Sequence, residues 1–127
     1  MRSRYGPRRR LRRASEFDAV FKRGARLAGR LFLLIVAPNG LGRDRLGLAV
    51  SRKVGGSVAR TRVRRLLRES FRRLASGERP GLDLVVVARP ELAACGQAEV
   101  DRELARRLLK HRPPPPQPAG ARPDPAR

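Results

Sequence analysis

Two hydrophobic rhythms alternate along the chain and predict a mixture of helices and strands. In "SEFDAVFKRG", Phe17, Val20 and Phe21 recur at helical spacing, Ser15 is placed to cap, an acid sits in the first turn and Gly24 follows as a stop. That pattern predicts a helix of about three turns. "LFLLIVAP" (residues 31–38) is apolar at successive positions, as in a strand covered on both faces, and Pro38 ends it. Asn39-Gly40 and Gly42 supply a turn, and "RLGLAVSR" (45–52) reads as a second strand that pairs with the first as a hairpin. The glycine loop "KVGGS" leads into a long helix, Ser57 to Leu74, and "ASGERPG" breaks the chain after it. In "LDLVVVAR" (82–89), Leu82, Leu84 and Val86 fall on one face and Val85 and Val87 on the other, a third strand closed by Pro90. "QAEVDRELARRLLKH" (97–111) is a second long helix, with Val100, Leu104 and Leu108 on one side. The order α-β-β-α-β-α predicts an α+β fold, a two-layer sandwich with helices packed on a small mixed sheet.

The ends of the chain differ from this core. Residues 1–13 hold seven arginines and no acid, which predicts a basic, partly disordered arm. From Arg112 the chain reads "RPPPPQPAGARPDPAR" and carries seven of the eleven prolines, a disordered tail. Residues 14–111 form the single domain between them, within the usual size for one domain.

Charge changes the picture most. The 127 residues carry 31 Lys+Arg against 11 Asp+Glu, a formal net charge of +20, and only Lys22, Lys53 and Lys110 among the basic residues are not arginine. Self-repulsion of that size disfavours a compact chain, so a polyanionic partner is expected. On the long helix, Val63, Leu66, Leu67, Ser70, Phe71 and Leu74 fall within an arc of roughly 140°. Arg64, Arg65, Arg68 and Arg72 take the opposite arc, so the charges occupy positions the core does not need. Neighbouring arginines repel by a few tenths of ~1 kcal/mol per pair, and only Glu69 dilutes them. A plain solvated face mixes signs; this one points to phosphates. Gly55-Gly56 permits close approach of a ligand to the helix start, where free N–H groups favour an anion, with Arg52, Lys53, Arg60 and Arg62 nearby.

Catalytic chemistry is not evident in the chain. Cys95 and His111 stand alone, which excludes a disulfide and a zinc site of the usual type. Glu99 and Glu103 share a helix face with Arg102, Arg106 and Arg107 around them, so ion pairing is their expected role. The longest apolar run, Leu31 to Ala37, is too short to cross a bilayer, and the charged N-terminus is no secretory signal. A cytoplasmic protein with no membrane role is the expectation.

The segment "SRKVGGSVARTRVRRLLRESFR", placed after the strand "RLGLAV", closely resembles the signature of the bacterial ribonuclease P protein subunit, with Lys53, Gly55, Val58, Arg60, Arg62, Arg65, Leu66, Arg68, Glu69 and Phe71 matching. Thr61 departs from it, standing where the family usually has asparagine. The likeness spans about residues 10–110. It implies a left-handed βαβ crossover, against the usual hand. It also implies the function: a protein that binds a catalytic RNA and the 5′ leader of precursor tRNA and assists endonucleolytic removal of that leader, with magnesium acting at the RNA and no catalytic residue in the protein. By the resemblance, Arg52, Lys53, Arg60, Thr61, Arg62, Arg64, Arg65, Arg68 and Arg72 face the catalytic RNA. Phe17, Phe21, Leu33 and Ile35 line a groove for the single-stranded leader, and one protein monomer joins one RNA. Stacking platforms flanked by positive charge are how single strands are held; ordinary core packing is the competing role for Phe17 and Phe21. A ribosomal-type structural RNA-binding protein shares the size and charge and is the alternative.

Overall fold

The computed structural model describes residues 10, 11, 13–74 and 81–111; the basic arm before Arg10 and the Pro-rich tail lie outside them. The elements are α1 (Ala14–Arg23), β1 (Ala25–Ala28), β2 (Phe32–Pro38), β3 (Arg45–Ala49), α2 (Ser57–Leu74), β4 (Leu82–Ala88), a short 3-10 helix (Pro90–Ala94) and α3 (Gln97–His111).

The four strands form one mixed sheet in the order β1-β2-β4-β3. β2 and β4 lie at its centre, antiparallel, with Phe32 opposite Ala88 and Pro38 opposite Leu82. Both are buried almost throughout, which is why neither alternates with polar residues. The expected hairpin between β2 and β3 does not form. β4 inserts between them and pairs with β3 in parallel, Arg45 opposite Asp83 and Ala49 opposite Val87. A strand apolar on both faces is worth most at the centre, and β3, with only two of its five residues fully buried, tolerates the edge. The partner of β2 in a tight hairpin is instead β1, a four-residue strand too short and too polar to stand out in the sequence. Beyond β3, Arg10 bridges to Leu46 and the Leu11 N–H donates to the Leu46 carbonyl at 2.9 Å, so packed structure begins ahead of α1.

The β3–α2–β4 crossover is left-handed, as the resemblance implies. The Leu46 carbonyl points toward Leu11, away from β4, while its side chain enters the layer that contains α2. For an L-residue these two directions, with the chain direction, fix the third. Viewed from α2 with β3 running upward, β4 lies to the left. Phe32 gives the same hand independently, with its side chain in that layer and its carbonyl directed to Gly29 on the β1 side.

α2 and α3 cover one face of the sheet. Val63, Leu67 and Phe71 of α2 and Val100, Leu104 and Leu108 of α3 pack with Leu34, Val36, Leu84 and Val86. α1 covers the other, with Leu11 ahead of it, through Val20 against Ile35, Ala37 and Val85. Its start differs from expectation: Ser15 lies inside the helix, and the Glu16 carboxylate accepts the Arg13 N–H at 3.1 Å, closing the end from within the first turn.

A polar cluster locks α2 to α3. The Ser70 hydroxyl donates to Asp101, Gln97 Nε2 donates to the Leu66 carbonyl (2.9 Å), Ser70 Oγ (3.0 Å) and Asp101 Oδ1 (3.1 Å), and Arg73 pairs with Asp101 at 2.6 Å. Burial alone would raise the Asp101 carboxyl, but hydrogen bonds from Ser70 and Gln97 and the charge of Arg73 outweigh it and hold the group below its ordinary 3.8. A carboxylate with a depressed folded pKa stabilises the fold above its unfolded pKa and ceases to as pH falls through the folded value. Asp101→Asn is therefore expected to lower stability by about 1–2 kcal/mol at pH 7, and the gap to the unsubstituted chain is expected to narrow below about pH 4. Urea unfolding followed by circular dichroism across pH 3–7 measures both.

Candidate nucleic-acid interface

The loop before α2 is built to present cations. Val54 is buried and anchors it, and its N–H donates to the Ser51 carbonyl at 3.1 Å while the Gly55 N–H donates to that of Arg52, also at 3.1 Å. The resulting turn leaves Arg52 and Lys53 exposed at its tip. Gly55 has φ +150°, a conformation that side chains resist, and a Cβ there would meet Ala59 at 2.8 Å. In front of Gly56 there is open space. Ser57 is the first helical residue, and the Gly56 carbonyl accepts the Arg60 N–H at 2.9 Å.

Along α2, Thr61, Arg62, Arg65 and Arg68 are exposed, while Arg60, Arg64 and Arg72 are half-buried. Their roles diverge on closer inspection. Arg62 donates to the Ala93 and Cys95 carbonyls, both at 2.7 Å, and so ties α2 to the 3-10 helix. Arg72 pairs with Glu69 at 2.7 Å, which holds the Glu69 carboxyl below its usual range. Arg73, on the flank, is shared between Glu69 and Asp101. Arg60 keeps its Nε buried with no hydrogen-bond partner. Arg52, Lys53, Arg64 and Arg65 make no ion pair among the described residues. The like-signed face foreseen in the sequence is thus present over the first half of the helix and partly neutralised in the second. Carboxylates elsewhere are engaged with other arginines, Glu103 with Arg106 (2.9 Å) and Arg107 (3.0 Å), and Glu99 with Arg30 (3.6 Å).

On the opposite side of the sheet, beside α1, Phe17, Phe21 and Leu33 are partly buried, together with Val87 of β4. Ile35 is 0% exposed and forms the floor rather than the surface. Gly47 makes the geometry possible: a Cβ at that position would lie 2.7 Å from the tip of the Phe17 ring. Arg45 ties β4 to α1, chelating Asp83 through two contacts of 2.8 Å and reaching Glu16 of α1 at 3.3 Å. The guanidinium of Arg26 lies 5.8 Å from the Phe21 ring centroid, which puts a cation beside an aromatic face. Val87 and Arg26 are additional to the residues the sequence predicts here. Alternation along "LDLVVVAR" carries the signal for Val87, since it shares a face with Val85; nothing local marks Arg26, because the four residues of β1 carry almost no periodic signal.

Cys95 is buried, and burial pushes its thiol up, so it stays protonated. Among the described residues no three His, Cys, Asp or Glu side chains converge, and no helix is long and apolar enough to cross a membrane. The side chain of His111 lies outside the described set.

Arg62 differs in kind from its exposed neighbours, and stability separates them. Arg62→Ala strands two carbonyls and is expected to cost about 1–2 kcal/mol in chemical denaturation. Arg64→Ala and Arg65→Ala are expected to stay within about 0.5 kcal/mol of the unsubstituted chain.

The family model for ribonuclease P matches residues 6–112. A ribonuclease P protein component from Caldanaerobacter subterraneus is 43% identical over 103 residues, covering 81% of this chain and 88% of its own. One from Shouchella clausii is 48% identical over 81 residues, covering 63% of this chain and 66% of its own. Among solved structures, the RNase P protein from Thermotoga maritima superposes with a TM-score of 0.69 at 34% identity, covering 80% of this chain and 96% of that one.

Proposed function

The chain belongs to the ribonuclease P protein family, and from that premise we propose how its two surfaces divide the work of the ribonucleoprotein. It is a protein component of ribonuclease P, the endoribonuclease of tRNA processing, and it binds RNA. We assign the face of Arg52, Lys53, Arg60, Thr61, Arg64, Arg65 and Arg68 to the catalytic RNA. The groove of Phe17, Phe21 and Leu33, with Val87 beside them and Ile35 as floor, receives the 5′ leader of precursor tRNA. Arg62 and Arg72 support the first surface from within, one through backbone carbonyls and the other through Glu69.

The observation that carries this reading is the set of cations at the head of α2, Arg52, Lys53, Arg64 and Arg65, exposed or half-buried and without ion pairs among the described residues. Arginine forks match phosphate oxygens in pairs, and phosphate contacts release counterions from the RNA. The groove adds aromatic rings beside a cation, suited to an unpaired strand.

Ribonuclease P chemistry uses magnesium, which supplies charge stabilisation and an activated water at the scissile phosphate. The residues here do not fit a magnesium site of the protein's own, since among the described residues no three His, Cys, Asp or Glu side chains converge, and Glu69, Asp83, Asp101 and Glu103 are paired with arginines. The ion belongs with RNA phosphates. A single copy of the chain on one RNA in the cytoplasm completes the proposal.

Titration of the ribonuclease P RNA of the same organism at several salt concentrations tests the arginine face. Arg60→Ala, Arg65→Ala and Arg68→Ala together are expected to weaken binding and to flatten the slope of log K against log[salt] by about one unit per lost phosphate contact; an unaltered slope rejects the assignment. For the groove, Phe17→Ala is expected to reduce affinity of the assembled ribonucleoprotein for leader-bearing tRNA by roughly tenfold, as for a lost stacking contact, and to leave mature tRNA unaffected. Equal loss for both would confine Phe17 to the core.

A further inference from the structure

Val58 is 84% exposed, the more exposed of the two large hydrophobics that stand out on the surface of the described residues. A β-branched residue gains nothing there from packing and is a poorer helix former than alanine. Nor does it serve α2 internally: the core arc of that helix is supplied by Val63, Leu66, Leu67 and Phe71. At 100° per residue Val58 lies about 20° from Arg65 and on the side away from the sheet. With Ser57, Thr61, Arg62 and Arg65 it lines a shallow open hollow of about 430 Å³. That volume suits one nucleotide unit, not a duplex groove. The rim is cationic through Arg65, the wall carries the Thr61 hydroxyl, and Arg62 is held in place by its two carbonyl contacts.

We propose that this hollow seats one unstacked nucleotide of the RNA partner, with Val58 in apolar contact with its base or ribose. The inference rests on the reading that α2 faces RNA and adds a contact of a different kind. The arginines bind phosphate, a charge-dependent and sequence-independent interaction. Val58 excludes water from a nucleotide that has left the stack, and Thr61 offers a donor and acceptor to its edge. In a helix otherwise lined with like charges, one apolar position fixes register where phosphate contacts alone would slide.

The two kinds of contact separate in a salt titration. Val58→Ala removes two methyl groups from an exposed site, so thermal stability is expected to be unchanged or slightly raised. Affinity for the ribonuclease P RNA is expected to fall roughly three- to tenfold, as for partial burial of those groups, with the salt slope unaltered. Arg65→Ala, measured alongside, is expected to lower the slope. Unchanged affinity in Val58→Ala, or a loss accompanied by a lower slope, overturns the proposal. If the arginine variants also bind with the parent slope, the assignment of α2 to RNA fails. If they lose slope while Val58→Ala binds as the parent, the nucleotide seat alone fails.

Discussion

The structure depends on one contact surface, the apolar arc of α2 against the face of the sheet formed by Leu34, Val36, Leu84 and Val86. Burying Val63, Leu67 and Phe71 there contributes on the order of 1.5–3 kcal/mol per side chain. Arginine repulsion along the outer arc opposes it by a few tenths of ~1 kcal/mol per neighbouring pair. The first term is several times the second, so repulsion along the outer arc does not by itself lift the apolar arc off the sheet. The segregation also fixes direction. Because the inward residues cannot rotate away from the sheet, the outward ones are held toward solvent at fixed angular positions before any RNA arrives.

The crossover itself follows from which strands are neighbours. β3 and β4 run parallel and adjacent, so the chain must return over the sheet, and α2 is the return. It lands on the face shared with α3, where Ser70, Gln97, Asp101 and Arg73 join the two helices through hydrogen bonds and charge. The other face is left to α1 and Leu11. One helix does not cover four strands, and Leu33 and Val87 beside it stay partly exposed, where the proposed groove lies. Gly47 and the Arg45–Asp83–Glu16 contacts define how deeply α1 sits, so a glycine and an ion pair on β3 and β4 control a surface made mostly by other elements.

Legibility in the sequence follows the range of the interactions. α2 and α3 are bounded correctly by period, breakers and proline because those signals are local. The faces of β4 are correct for the same reason. The pairing of β2 with β4 rather than β3 is not local: nothing within residues 31–52 says that a strand from residues 82–88 will enter between them. β1 is missed because four residues with one inward leucine carry almost no periodic signal. At the site, the outward placement of Arg64 and Arg65 was legible from angle alone. That Arg62 is used by the 3-10 helix and Ile35 lies wholly buried depended on tertiary neighbours.

The two surfaces lie on opposite sides of a single sheet, and on the proposed reading this bears on how the protein assists the reaction. β2 and β4 contribute Leu34 and Val86 to the layer beneath α2, and Leu33 and Val87 to the proposed groove, from adjacent residues on the same strands. A rigid, doubly buried pair of strands therefore sets the distance between the arginine face and the groove. On the proposed reading, one RNA held on α2 and a single strand held beside α1 are kept in fixed relation by the sheet, with no side chain reaching the bond to be cut. Restricting the freedom of two bound segments is itself a contribution to rate, since orientation that would otherwise be lost in the encounter is supplied by binding. On the same reading the arginines of α2 supply affinity for phosphate, and their placement on the outer arc of a packed helix turns that affinity into a defined orientation.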